Sequence, residues 1–368
     1  MTSTTQFSTH GAAVSAPETT QPRTERTTVV VDLALQGGGS HGAFTWGVLD
    51  RLLEERWLHI DAISGTSAGA MNAAVLADGW TEGGAAYARK ALDAYWEHVA
   101  RAATFSPLQR TFMDRLLGRW TLDTSPVFVG LDLLARVFSP YDLNPHGINP
   151  LKTILDQSID FDRLAKSPIK LFITATNVRT GRGRIFRNSE ISSDVLLASA
   201  CLPTMFQAVE IDGEAYWDGG YAGNPTITPL VRESSARDTI LVQINPRERM
   251  GTPRTATEIL NRLNEVSFNA PLMKELRMIA LLRQAADPGS GEGARWAGMR
   301  THRIMTEMMA DLGYSSKLNA EREFLHMLRD EGRRAASSFL EAHAGDIGQR
   351  STADRTDAFV RLLLRPIL

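Results

Sequence analysis

The run Val29 to Leu35 is apolar and β-branched except for Asp32, and it leads within two residues into Gly37-Gly38-Gly39-Ser40-His41-Gly42. A short apolar run closed by glycines reads as a buried strand. Beyond Gly42 the period changes: Phe44, Val48, Leu49, Leu52 and Leu53 recur at helical spacing, which predicts a helix from Ala43 to Glu55 packed back on that strand. The unit then repeats. A short strand, Asp61 to Ser64, runs into Gly65-Thr66-Ser67-Ala68-Gly69, with a helix expected over Ala70 to Ala77 and another over Thr81 to Val99. Strands alternating with helices argue for a mostly parallel sheet covered on both faces.

Further strands are expected at Ile169 to Thr176 and Thr239 to Asn245, with shorter ones at Arg184 to Phe186, Ala208 to Ile211 and Glu214 to Trp217. The fold class that follows is α/β, three layers α/β/α around a mostly parallel central sheet, over residues 29–250. From about residue 250 the pattern is helical, so 251–368 reads as a helical C-terminal extension packed on that unit. Thr255 and Glu258 have capping-box spacing ahead of Ile259, Leu260 and Leu263, and Pro271 is expected to kink or divide the helix they start. A second long helix carries Leu325, Leu328, Ala335, Ala336, Phe339 and Leu340 in one stripe that ends near Gly345.

Composition removes several function classes. A formal net charge of -2 gives no bulk attraction to nucleic acid or to an anionic membrane, so nucleic acid is not an expected partner. The single cysteine, Cys201, excludes an intrachain disulfide framework, sits among small apolar residues as a buried structural thiol, and fits a reducing, cytoplasmic setting. Residues 1–28 are rich in Ser, Thr, Gln and Pro and read as a disordered tail without the apolar run of a signal peptide. No run of uncharged apolar residues is long enough for a transmembrane helix. With no H-E-x-x-H, no clustered Asp and no paired Cys, neither a metal nor another cofactor is expected.

Three segments carry chemistry. Gly65-Thr66-Ser67-Ala68-Gly69 has the form G-x-S-x-G at a strand-to-helix junction, where a sharp turn lifts the serine hydroxyl clear of the sheet and the Ala68 amide can donate to an oxyanion. Standing alone, the pentapeptide also fits a tight turn with a capping serine. The Gly37 to Gly42 loop fits two uses. As G-x-G-x-x-G it resembles a dinucleotide-binding turn, which needs an acidic residue at the tip of the second strand, whereas that strand ends in Ser64 and its only acid, Asp61, stands at its start. As a set of side-chain-free amides, Gly37, Gly38 and Gly39 suit an oxyanion hole. Asp218-Gly219-Gly220, closing a short strand, is by itself a hairpin turn.

Taken in this order, the glycine loop, the serine elbow and the distant D-G-G resemble the patatin-like phospholipases, relatives of the cytosolic phospholipases. Ala198-Ser199-Ala200-Cys201-Leu202-Pro203 and the stretch from Trp217 through Asn224-Pro225 are similar to the segments around that family's aspartate, so the resemblance covers about residues 29–245. It implies a patatin-like fold and a Ser67-Asp218 dyad without histidine. It also implies an oxyanion hole from the glycine loop, with Gly42, Gly65, Gly69, Gly219 and Gly220 supporting the motifs. Many members carry Arg or Lys in the loop where this chain has His41, which leaves His41 as a possible substrate contact. The implied activity is hydrolysis of phospholipid or related lipid esters through an acyl-enzyme, with transient contact at a membrane surface.

Two other readings remain at this level. The chain order Ser67, Asp218, His302 allows an α/β-hydrolase-type triad, although the elbow follows only the second strand and His302 falls in the helical tail. A non-catalytic lipid-binding or regulatory protein on the same fold is the other, with intact serine, aspartate and glycine loop against it. The segment Phe105 to Tyr141, with Phe112, Leu116, Leu117, Trp120, Phe128, Leu131, Leu134 and Phe138, reads first as helical core and second as an acyl pocket or lid. Arg179, Arg182, Arg184 and Arg187 cluster around a turn, as a solvated turn or as contacts to phosphate headgroups.

Overall fold

The computed structural model describes residues 26–104, 106–285 and 289–353, so most of the expected N-terminal tail lies outside the described residues. The strands are β1 (Val29–Leu35), β2 (Leu58–Gly65), β3 (Lys170–Asn177), β4 (Gly183–Arg187), β5 (Val209–Ile211), β6 (Glu214–Asp218), β7 (Asp238–Val242) and β8 (Arg300–Ile304). They form one sheet in the order β5-β6-β3-β2-β1-β7-β8, with β4 also paired to β3. From β3 to β8 neighbours are parallel, while β4 and β6 run antiparallel to β3 and β5 antiparallel to β6.

Alternation along the strands divides the core. Leu33 and Leu35 of β1, Ile63 of β2, Leu171 and Ile173 of β3 and Ile240 and Val242 of β7 enter one apolar cluster. Ala34, Ala62, Phe172 and Leu241, their neighbours of opposite parity, enter a second on the other face. The first is covered by α1 (Gly42–Leu52), α2 (Ala68–Thr104) and the helix Arg322–His343, the second by Thr228–Glu233, Ala256–Gln284 and Glu292–Gly298. The architecture is the expected three-layer α/β/α with a mostly parallel sheet.

Four details differ from expectation. The expected break between two helices in the elbow region falls at Gly83 and Gly84, whose backbone is non-helical inside α2. Pro271 does not divide its helix, which runs from Ala256 to Gln284. The turn on either side is pinned by tertiary contacts: Phe268 and Leu272 are buried, and Asn269 donates to the Pro246 carbonyl at 3.0 Å. The part after residue 250 is not purely helical, because Arg300–Ile304 forms β8 against β7. Its sequence, with two arginines and a histidine, hides a strand whose polar side chains find partners: Arg300 and His302 both bond Asp238. Finally, Phe112, Leu116, Leu117, Leu131, Leu134 and Phe138 are exposed, so most of the apolar residues of the segment before Tyr141 are not core, while Leu122 is buried and Trp120 stacks on Phe324.

Among the described residues no helix is long and apolar enough to cross a membrane. Three of the four clustered arginines are neutralised locally: Arg179 pairs with Glu214, Arg184 with Asp212 and Glu190, and Arg187 with Glu233.

Candidate active site

From β1 the sheet grows one way through β2 and β3 and the other way through β7 and β8. In such sheets the crevice beyond the carboxyl ends of the strands, where the order reverses, is the place for a ligand. The glycine loop leaves β1 there, the serine elbow leaves β2 beside it, and Asn245 follows β7.

Ser67 sits at φ +54°, in the left-handed region that L-residues occupy only when the surroundings enforce it. Gly65 and Gly69 permit this tight turn: a Cβ on Gly69 would stand 2.2 Å from the Leu35 carbonyl, and one on Gly65 would stand 2.6 Å from the Gly69 carbonyl. The elbow is tied to the sheet by Ser199, whose hydroxyl accepts from the Ser67 amide at 2.9 Å and donates to the Thr174 carbonyl at 2.7 Å.

Asp218 ends β6, and its backbone is held on both sides, its amide donating to the Cys201 carbonyl at 2.8 Å and its carbonyl accepting from the Thr176 hydroxyl at 2.8 Å. One carboxylate oxygen accepts from the Gly220 amide at 2.7 Å, and Asp218 lines the same cavity as Ser67. Burial pushes the acid up to about 7, while the Gly220 amide, the Ser67 hydroxyl and the Lys317 ammonium hold it down. Gly219 and Gly220 are required by packing, since a Cβ would stand 2.0 Å from the Thr174 carbonyl or 2.3 Å from the Phe268 ring.

Not every expected oxyanion donor is available. The Gly37 amide donates to Asn224 Oδ1 at 2.7 Å, and a Cβ on Gly37 would stand 2.6 Å from the Ser67 Cβ. Gly37 is therefore a spacer whose N–H is already occupied. Among the described residues the amides of Gly38, Gly39 and Ala68 meet no protein acceptor, and all three residues line the same cavity as Ser67 and Asp218. Gly42 supports the arrangement, since a Cβ there would stand 2.7 Å from that of Ala68.

That cavity holds about 380 Å³, and its wall is largely apolar: Met71, Tyr95, Trp96 and Val99 of α2, Leu151 and Ile154, and Leu202, Met205 and Phe206. This space is lined mainly by α2 and later segments, with Ser106 and Leu108 from the segment Phe105 to Tyr141, and not by the exposed residues around Phe112. A helical face lining a cavity has the same period as one lining a core, so the helix expected over Thr81 to Val99 carries no sign in its sequence that Tyr95 and Trp96 line a site.

Neither histidine stands at the serine. His41 does not line the cavity; it is buried, with Nε2 2.8 Å from Ser316 Oγ and its ring edge on Phe324. Burial, with Lys317 nearby, pushes it down to about 3, so it is neutral, and its ring joins the loop to the C-terminal part. His302 lies in β8, separated from β2 by β1 and β7, with Nε2 on Asp238 at 3.0 Å and Nδ1 on Thr352 at 3.2 Å. Both ring nitrogens are occupied there, which removes the triad. Three polar residues at the site have no role assigned to them by their local sequence: Asn224, which lies in the stretch similar to the family's, Lys317, and Asn245, which donates to the Gly37 carbonyl at 2.8 Å. The only local signal was an Asn-Pro step after a strand or turn, at Asn224-Pro225 and Asn245-Pro246.

The family described as patatin-like phospholipase matches residues 33–231. No curated protein matches the chain. Among solved structures, VipD from Legionella pneumophila is 14% identical with a TM-score of 0.38, the alignment covering 86% of this chain and 67% of that one. Full-length ExoU, solved in complex with full-length SpcU from the type III secretion system of Pseudomonas aeruginosa, is 17% identical with a TM-score of 0.29, covering 86% of this chain and 53% of that one. This chain therefore spans about two thirds of the first and about half of the second. The family match takes in more than half of the chain, from β1 through the serine elbow to the residues beyond Asp218, and on that ground the chain belongs to the patatin-like phospholipase family.

Proposed function

We propose that the protein is a serine acyl-ester hydrolase that releases fatty acid from phospholipid or related lipid esters, with Ser67 as nucleophile and Asp218 as its base. The observation that carries this reading is a buried carboxylate lining the same cavity as a serine held at a strained strand-to-helix turn. A carboxylate pushed up to about 7 is a far better proton acceptor than a solvated one and is still ionised in a useful fraction at neutral pH.

In the first half-reaction Ser67 Oγ bonds to the ester carbonyl carbon while its proton passes to Asp218. The negative charge that develops on the carbonyl oxygen is met by the amides of Gly38, Gly39 and Ala68, the last at the N-terminus of α2. Collapse of the tetrahedral adduct breaks the ester C–O bond, and the alcohol leaves with the proton from Asp218. Water then gives a proton to Asp218 and bonds to the acyl carbon, and the second collapse returns that proton to Ser67 and frees the fatty acid. Every step uses groups of the chain itself. A cytoplasmic location fits the lone, buried Cys201, and reaching a lipid ester implies transient contact with a membrane surface.

A fluorophosphonate probe tests the reading. It should label Ser67 in the wild type, and Ser67→Ala should abolish both labelling and ester turnover while the melting curve stays cooperative. Retained turnover in a folded Ser67→Ala protein refutes the assignment, and labelling absent from a folded wild type makes the protein a lipid binder.

A further inference from the structure

Lys317 belongs to the short turn Ser315–Leu318, well outside the matched family region. Its backbone packs on the glycine loop so closely that a Cβ on Gly39 would stand 2.4 Å from the Lys317 carbonyl oxygen. Its side chain lines the cavity that holds Ser67 and Asp218. The ammonium donates to Asn245 Oδ1 and to Asn264 Oδ1, each at 2.9 Å. Both acceptors are neutral. A lysine ammonium has three N–H donors, so one remains beyond these two. The acids that act on it, Glu265 and Asp218, do so through space, and Glu265 is already paired with Arg249 at 2.7 Å and Arg262 at 3.2 Å.

The ammonium lies 6.0 Å from the centre of the Phe268 ring and 5.9 Å from that of Tyr314, in a largely apolar cleft where a charge is unfavourable unless something compensates it. Burial pulls the ammonium down to about 8, which still leaves it protonated at neutral pH. Two neutral amide oxygens orient it without neutralising it. Nothing in the acyl-transfer steps uses it.

We propose that Lys317 is the specificity-determining residue of the cleft: its remaining N–H takes an anionic oxygen on the alcohol side of the substrate, so that esters carrying a phosphate or carboxylate near the scissile bond are preferred over neutral esters. The inference rests on the reading of Ser67 and Asp218 given above. The ion pair with substrate forms in a largely apolar cleft, where a charge-assisted hydrogen bond is stronger than in water. The C-terminal part, through this residue, contributes substrate choice to a site whose bond-breaking groups lie in the family region.

The test uses the full-length protein and three decanoyl esters with one acyl chain, of glycerol phosphate, of glyceric acid and of glycerol. In Lys317→Met the ratio of kcat/KM for either anionic ester over the neutral one should fall by about tenfold or more, and Lys317→Arg should restore part of it. Loss confined to the phosphate ester identifies a phosphate site, and loss confined to the glycerate ester a carboxylate site. An unchanged ratio with all three rates lowered together overturns the proposal and makes Lys317 a counter-ion of Asp218. A second measurement needs no turnover: calorimetric binding of decyl phosphate and of decanol to Ser67→Ala, with and without Lys317→Met. Should the wild type hydrolyse none of the esters while decyl phosphate binding still depends on Lys317, the hydrolase reading fails and the anion site stands. Equal decyl phosphate binding with and without the lysine overturns the anion site itself.

Discussion

Asp218→Asn should remove activity and at the same time stabilise the fold, and the two effects can be separated by pH. The carboxyl is buried, 1% exposed, and burial pushes it from 3.8 up to about 7. At one unit per 1.36 kcal/mol, ionising it inside the fold costs about 4 kcal/mol relative to the unfolded chain. A folded-state value above the unfolded one means that full stability is present below the unfolded value and is lost as pH rises through the folded value. The wild type therefore weakens between about pH 4 and pH 7, by up to about 1.4 kcal/mol per pH unit, and is flat above. Asp218→Asn keeps an oxygen for the Gly220 amide but has nothing to titrate. Chemical denaturation of both proteins from pH 5 to pH 8 reads the difference, which should widen with pH in favour of the variant and level off above pH 7. Turnover should fall about a hundredfold or more in the variant, while wild-type kcat/KM should rise with pH to a plateau above about 7, since the base acts ionised. A stability gap that does not change with pH, or a wild type active well below pH 5, would refute the account of Asp218 as a buried base.

His302→Ala should lower stability by about 2–4 kcal/mol, because it empties a fully buried site in β8 and strips a partner from Asp238, yet fluorophosphonate labelling of Ser67 should persist in the folded fraction. Loss of labelling in a correctly folded His302→Ala protein would restore the triad. Gly69→Ala should push α2 away from the end of β1, where the new Cβ meets the Leu35 carbonyl at 2.2 Å, costing about 1–3 kcal/mol and shifting Ala68 relative to Gly38. Calorimetric melting together with ester kinetics checks it: a variant as stable and as active as the wild type would show that the close approach is not needed.

What could be read in the residues themselves is the part of the molecule built from neighbours in the chain. The switch from strand to helical period on either side of Gly37–Gly42 and Gly65–Gly69 predicts β1, α1, β2 and the elbow, since a glycine turn and a side-chain period are local properties of the backbone. The stripe from Leu325 to Leu340 likewise predicts the helix Arg322–His343. Ser67 is legible for the same reason, on a turn with its own glycines, whereas Asp218-Gly219-Gly220 alone reads as a hairpin turn and becomes a candidate only through the resemblance that the three ordered motifs carry. The partners of these groups were not legible. Whether the Gly37 amide is free depends on Asn224, whether His41 meets substrate depends on Ser316, and whether His302 is catalytic depends on Asp238, all contacts across large sequence separations. The apolar runs near Phe112 and along α2 look alike in sequence, but packing leaves one exposed and folds the other around the cleft. Lys317 has no motif at all; it belongs to the site because the turn Ser315–Leu318 docks on the glycine loop and brings the ammonium to Asn245. Local sequence encodes conformation and period, whereas the state of a titratable or donating group is decided by whatever the rest of the chain packs against it.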